Sequence, residues 1–235
     1  MMNNLLKLSK ITLLFVLLSL GATAQNLQTH YDFDREHITT TLEMFKPDAY
    51  GNTFFFVDMN YDPKLVNSGV SLGYWEIARV LKTEKMPIGA HVEFNSGIGT
   101  WKAGEFAGYF NINNAFLAGV DYSWNAGDFS KGFAVKALYK YIHKKHNASF
   151  QFTGVWYWHF LDRKLTFMGF ADFWKEDTFF SADGSRSGEY VFLTEPQIWY
   201  NLNDHFSFGG ELELSNNFDV AEFKARPTVA VKWTF

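Results

Sequence analysis

The chain closes on residues 225–235, Ala225-Arg226-Pro227-Thr228-Val229-Ala230-Val231-Lys232-Trp233-Thr234-Phe235. In an extended chain successive side chains point to opposite faces. Ala225, Pro227, Val229, Val231, Trp233 and Phe235 therefore share one face, while Arg226, Thr228, Lys232 and Thr234 share the other. This is a strand with one greasy and one polar side, and the polar side carries full charges.

The same period of two runs backwards through the chain. Phe206, Phe208, Gly210, Leu212 and Leu214 alternate with Ser207, Gly209, Glu211, Glu213 and Ser215. Leu165, Phe167, Gly169, Ala171 and Phe173 oppose Thr166, Met168, Phe170 and Asp172. Phe150, Phe152, Trp156 and Trp158 oppose Gln151, Thr153, Tyr157 and His159, and Phe133, Val135, Ala137, Tyr139 and Tyr141 oppose Lys136 and Lys140. With further strands at 26–34, 38–46, 53–61, 73–82, 87–95, 115–124 and 190–200, the alternation predicts twelve strands.

Composition restricts what such strands can build. The 235 residues include 26 Phe, 11 Tyr and 8 Trp, no Cys, and a formal charge of −4. Apolar residues make up 47% and the mean hydropathy is −0.15, which excludes both a disordered chain and a bundle of membrane helices. Lys7 and Lys10, the apolar run Ile11–Leu20 and Gly21-Ala22-Thr23-Ala24 read as a signal peptide cleaved after Ala24. Ten apolar residues are too few to span a bilayer, which needs about 20. Cleavage removes two lysines and no acid, so the exported domain 25–235 is more acidic than the full chain. An acidic exported protein has no electrostatic footprint for nucleic acid.

Twelve strands of about ten residues, rich in aromatic rings, match the signature of an all-β, 12-stranded antiparallel transmembrane β-barrel. Connection lengths support it. With the N-terminus on the periplasmic side, the connections after even strands are short: Lys46–Asn52, Thr83–Met86, Asn125–Lys131, Leu161–Arg163 and Asn201–His205. Those after odd strands include the longer Asp62–Leu72, Ser96–Asn114, Lys175–Glu189 and Asn216–Lys224, read here as loops 96–114 and 175–189 among others. A soluble barrel or sandwich also alternates, but its interior holds far fewer apolar side chains than twelve such strands supply. Turning the greasy face outward, into outer-membrane lipid, resolves the excess. Most rings then contact lipid or form the two interfacial girdles.

The polar face must then line the lumen. Its candidate solute-contacting residues are Phe54, Phe56, Asp58, His91, Glu93, Asn95, Tyr157, Phe170, Asp172, Glu195, Glu211, Glu213 and Arg226. Glu43, Glu76, Lys136, Lys140, Gln151, Gln197 and Lys232 share that face. Carboxylates outnumber cations. Phe54, Phe56, Tyr157 and Phe170 either fill a small interior or stack on solutes. A base on a ring gains about 1–3 kcal/mol, and carboxylates and amides can hold ribose hydroxyls.

At this point the residues resemble a family, the nucleoside-specific channel-forming outer-membrane porins (Tsx-like), and more closely an uncharacterised branch of that superfamily. The matching stretches are Phe54-Phe55-Phe56-Val57-Asp58-Met59, Tyr74-Trp75-Glu76-Ile77, His91-Val92-Glu93-Phe94-Asn95, Trp156–Trp174 and Val231–Phe235. The resemblance implies a monomeric twelve-stranded barrel whose narrow pore passes nucleosides by diffusion, with Phe54, Phe56 and Asp58 the matching binding residues. Phe235, in phase with Trp233, resembles the C-terminal signal that such barrels present to the assembly machinery.

Two other readings compete. One is a closed structural barrel without transport. The other is an outer-membrane lipid hydrolase, which needs a lipid-facing His and a nucleophilic Ser two residues apart. The segment that tempts, His91-Val92-Glu93, has Glu in the Ser position, and parity turns both residues inward. No H-E-x-x-H, Walker or G-x-S-x-G pattern occurs, so the chain is read as not an enzyme, with no cofactor implied. His143 and His146 read as solvated surface, Asn147-Ala148-Ser149 as a chance match to a glycosylation acceptor, and Asp177 and Asp183 lack calcium-loop spacing.

Overall fold

The computed structural model describes residues 25–66, 69–83, 86–145, 149–179 and 187–235. The signal peptide, His146, Asn147, Ala148 and Asp183 lie outside the described residues. Thirteen strands follow in order: β1 (Gln25–Asp32), β2 (His37–Asp48), β3 (Gly51–Tyr61), β4 (Leu72–Leu81), β5 (Ile88–Ala103), β6 (Phe106–Asn125), β7 (Lys131–Ile142), β8 (Ser149–Phe160), β9 (Leu165–Phe179), β10 (Ser187–Thr194), β11 (Gln197–Asn201), β12 (Phe206–Asn216) and β13 (Phe223–Thr234). Consecutive strands pair antiparallel except β10 with β11, and β13 closes on β1 in a ladder running from Asn26↔Thr234 to Asp32↔Thr228.

The strand predicted over 190–200 is in fact two, β10 and β11, both held between β9 and β12. They are separated by Glu195-Pro196, because proline has no N–H to give the ladder. The two halves occupy one place in the wall, so the barrel has twelve strand positions. No helix long and apolar enough to cross a membrane occurs among the described residues.

Two predicted loops need correction. Residues 96–114 are not a loop: β5 and β6 extend through them and meet at the two-residue turn Gly104-Glu105, with Gly104 at φ +61°. Four glycines in this stretch, Gly97, Gly99, Gly104 and Gly108, imitate loop composition. Three of them sit on strands opposite large side chains. The 175–189 connection is likewise mostly strand, since β9 runs to Phe179 and β10 starts at Ser187.

Burial follows the alternation. Val92, Phe152 and Val229 on the outer face are 52%, 54% and 52% exposed, whereas Gln28, His91, Asp121 and Arg226 on the inner face are buried. A barrel this apolar outside and polar inside has inverted the arrangement of a soluble one. Part of the interior is apolar nonetheless: Ala115, Leu117, Leu138 and Ile142 form one buried cluster, and Trp174, Val191 and Leu193, with Phe170 against them, form another.

The wall is tight at β12. A Cβ on Gly209 would lie 2.0 Å from the carbonyl oxygen of Ile198, and one on Gly210 would lie 2.2 Å from that of Thr228. Backbone cannot yield as a flexible side chain does. Gly209→Ala is therefore expected to destabilise the barrel by about 2–3 kcal/mol, read as a lowered urea midpoint in detergent. An unchanged midpoint would mean that β12 can move away from β11.

Candidate functional site: the barrel lumen

An inward side chain in a closed barrel keeps accessible surface only where it borders interior space. By that criterion the open part of the lumen lies between two walls. On β3 and β4, Phe54, Phe56, Asp58, Tyr74 and Glu76 remain half-buried; across from them so do Phe170, Asp172, Glu195, Gln197 and Glu211. The β5 wall has no such residues, because His91, Glu93 and Asn95 are buried.

The first wall is aromatic. The rings of Phe54 and Phe56 lie 5.9 Å apart, and Phe56 lies 5.7 Å from Tyr74, so three rings climb the lumen in one row. The Tyr74 hydroxyl donates to Glu76 at 3.4 Å. Strand register causes this: Phe56 stands opposite Glu43 on β2 and Glu76 on β4, all facing inward.

Beside the rings and across from them the lining is acidic. Asp58 accepts a hydrogen bond from Thr41 Oγ1 at 2.5 Å, and Glu211 accepts one from Gln197 Nε2 at 2.6 Å. Asp58, Glu195 and Glu211 lie close enough for their charges to repel one another, and the cation that acts on both glutamates is Arg35. That arginine is already engaged with Asp32 at 2.9 Å and Glu213 at 2.6 Å. These three carboxylates, on β3, on β12 and in the break between β10 and β11, thus form no ion pair among the described residues. Elsewhere in the lining the balance differs: Glu76 and Asp172 feel both Lys136 and Lys140.

At the end with the long connections, two arginines gather the acids. Arg226, 4% exposed, donates to Asp34 at 3.0 Å, Glu213 at 2.7 Å and Asp219 at 2.9 Å. Arg35 stands in the β1–β2 turn outside the strands. Burial and the neighbouring Arg226 oppose its charge, but Glu213 and Asp219 more than compensate and hold its pKa above the ordinary value.

His91, Glu93, Asn95 and Tyr157 are placed elsewhere, while Phe170 and Asp172 border the open space and have further neighbours of their own. His91 Nε2 and Glu93 Oε2 are 3.0 Å apart, with Asp121 3.9 Å from His91 Nδ1, so this group is part of the wall. Both residues face inward, as parity predicts. Asn95 Nδ2 reaches Glu93 at 3.5 Å. Tyr157 donates to Asn125 at 2.8 Å near the short-turn end, and its nearest ring is His159. Phe170 packs on the Trp174 cluster. The structure thus brings Phe54, Phe56, Asp58, Glu195 and Glu211 to the open space, sets Asp172 near Lys136, and keeps Tyr157 apart.

Several lumen residues are absent from the predicted set. Trp199, fully buried, donates to Gln197 at 2.9 Å and carries Lys232 over its ring at 4.1 Å. Parity with Glu195 and Gln197 marks it as inward. Tyr74 follows from Glu76 in the same way. Arg35 and Asp219 lie in turns, where alternation gives no signal.

Comparison with known proteins follows from this geometry. A family model described as a domain of unknown function (DUF5020) matches residues 24–235. No curated protein is significantly similar in sequence. Among solved structures, the NanC porin superposes with a TM-score of 0.57 at 10% identity, covering 90% of this chain and 99% of that one. The KdgM porin superposes with a TM-score of 0.51 at 12% identity over the same shares, and a structure of KdgM porin in complex with disordered oligogalacturonate scores 0.50. At these identities the likeness is one of fold.

Proposed function

We propose, from the premise that the chain belongs to the DUF5020 family and closes as a twelve-stranded barrel, that it is a diffusion channel of the bacterial outer membrane for small neutral or cationic solutes, nucleosides foremost. The observation that carries the reading is the half-buried lumen layer in which the Phe54–Phe56–Tyr74 row, with Asp58 beside it, faces Glu195 and Glu211. A flat apolar face stacks on the rings while hydroxyls donate to the carboxylates. Nucleosides offer both.

The outer surface supports the location. Rings collect at the short-turn end, where Trp158 stacks on Phe160 at 4.9 Å, Trp124 meets Phe133 at 5.8 Å and His205 stacks on Trp233 at 5.4 Å. Such a girdle suits a membrane interface. Oligogalacturonate, found with KdgM, is a polyanion. An acid-rich lumen repels polyanions, so this chain is expected to differ from KdgM in solute.

Liposome swelling with the purified barrel tests the reading, comparing adenosine and uridine with glucose and serine. Swelling is expected for all, and nucleosides are expected to exceed the rate that their size predicts. Equal size-scaled rates would remove nucleoside preference. No swelling would favour the structural barrel, for which the two apolar clusters inside the wall are the supporting observation.

A further inference from the structure

Among the described residues, the β5–β6 pair outruns both of its neighbours in the wall. β4 accompanies β5 only to Leu72↔Gly99, and β7 accompanies β6 only from Ile142↔Ala115. The last bonds to those neighbours are Thr100 N–H to Ser71 O and His143 N–H to Asn114 O, so residues 101–113 form a two-stranded ribbon projecting past the wall. At its exposed end Trp101 is 44%, Phe106 76%, Tyr109 78% and Phe110 44% exposed.

Register tells which face each ring is on, because residues directly opposite in a ladder share a face. Tyr74, which faces the lumen, stands opposite Gly97, and Gly97 stands opposite Ile112. Continuing upward, Gly99 opposes Phe110, Trp101 opposes Gly108 and Ala103 opposes Phe106. All of these lie on the continuation of the lumen face. The register shift between Asn95 and Gly97 is what aims them. Below it, odd residues of β6 such as Leu117 and Asp121 face inward; above it, even residues do. Without that bulge Tyr109 would face the lumen side and Phe106 and Phe110 would face away.

The glycines make room. A Cβ on Gly99 would lie 2.4 Å from the Phe110 ring, and one on Gly108 2.9 Å from the Trp101 indole. Each ring therefore lies flat across the opposite strand. In order, Phe106, Trp101 and Phe110 lead down past Ile112 to Tyr74, Phe56 and Phe54, with diagonal neighbours spaced about 7–8 Å apart.

We infer that this ribbon is a binding surface, an aromatic lane that captures solutes with a flat apolar face, such as nucleobases, and hands them to the lumen row. The inference rests on the channel reading above and extends it outside the barrel. The bland account of the same rings is that they only cover the glycine backbone.

Swelling of liposomes carrying the full mature barrel separates the two, scored as the ratio of adenosine to serine rates. Trp101→Ala/Phe106→Ala/Phe110→Ala is expected to lower that ratio about fivefold. Tyr109→Ala, on the opposite face of the ribbon, is expected to leave it unchanged. A triple variant with the wild-type ratio, or an equal fall in Tyr109→Ala, overturns the lane. Should the triple variant lose the heat-modifiable mobility of a closed barrel, Phe106→Ala at the ribbon tip serves alone, with about a twofold fall expected and an unchanged ratio again overturning the lane. Absence of both adenosine and serine swelling in the wild type would overturn the channel reading, and the lane with it.

Discussion

Arg226→Ala is expected to cost about 3–5 kcal/mol of barrel stability, the largest single-site loss the structure implies. The size follows from what remains after removal. Glu213, buried on β12, would keep only Arg35 and the Ser215 hydroxyl as partners, while Asp34 and Asp219 would lose their contacts with Arg226. A buried carboxylate that loses one of its two cations loses much of what offsets its desolvation. Because β13 is the closing strand, the loss falls on the seam that shuts the barrel. The expected readout is a lower urea midpoint in detergent and a reduced fraction of the heat-modifiable form. Arg226→Ala/Glu213→Gln should recover part of the loss by removing the under-compensated charge. If the double variant is no better than the single, the contribution of Arg226 is packing of its stem rather than its ion pairs.

How much of this could be read from the chain depends on which signal placed each residue. The alternation of 225–235 gave the correct inner and outer faces of β13, with Arg226 inside and Val229 outside, because a residue facing lipid and one facing the lumen differ in kind. The same rule placed Asp58, Glu195 and Glu211 on the inner face. It could not say that they meet, since their strands lie far apart in sequence and only closure of the sheet brings them together. It failed at 96–114 for a definite reason: Gly97, Gly99 and Gly108 are strand residues whose missing side chains make room for rings on the opposite strand, so their composition imitates a loop. Pro196 broke a strand that apolar content alone predicted as continuous. The mouth arginine cluster was half legible, Arg226 from parity and Arg35 not at all, because a turn has no period to read.

The acidic lumen layer has a consequence that ion flow reports directly. Under a tenfold KCl gradient the wild-type channel is expected to show a reversal potential displaced toward the potassium limit of about 59 mV. Asp58→Asn/Glu195→Gln/Glu211→Gln is expected to move it most of the way to zero. A monovalent cation about 8 Å from one carboxylate gains roughly 2 kcal/mol at an effective dielectric constant near 20, enough for a many-fold preference over an anion. Here three carboxylates act together, and Arg35, a cation that acts on both glutamates, is held by Asp32 and Glu213. The sign is what separates this lumen from one built to pass polyanions. Substitution by amides preserves volume and hydrogen-bonding shape, and it relieves mutual repulsion, so the variant should fold at least as well as the wild type. Raising both salt concentrations at a fixed ratio should weaken the wild-type displacement, because screening shortens the reach of the three charges. A triple variant as cation-selective as the wild type would place the filter instead at the mouth, among Asp34, Asp219 and the arginines. Anion selectivity in the wild type would mean that Lys136, Lys140 and Lys232 govern the field in the lumen, and the preference for neutral and cationic solutes would fall with it.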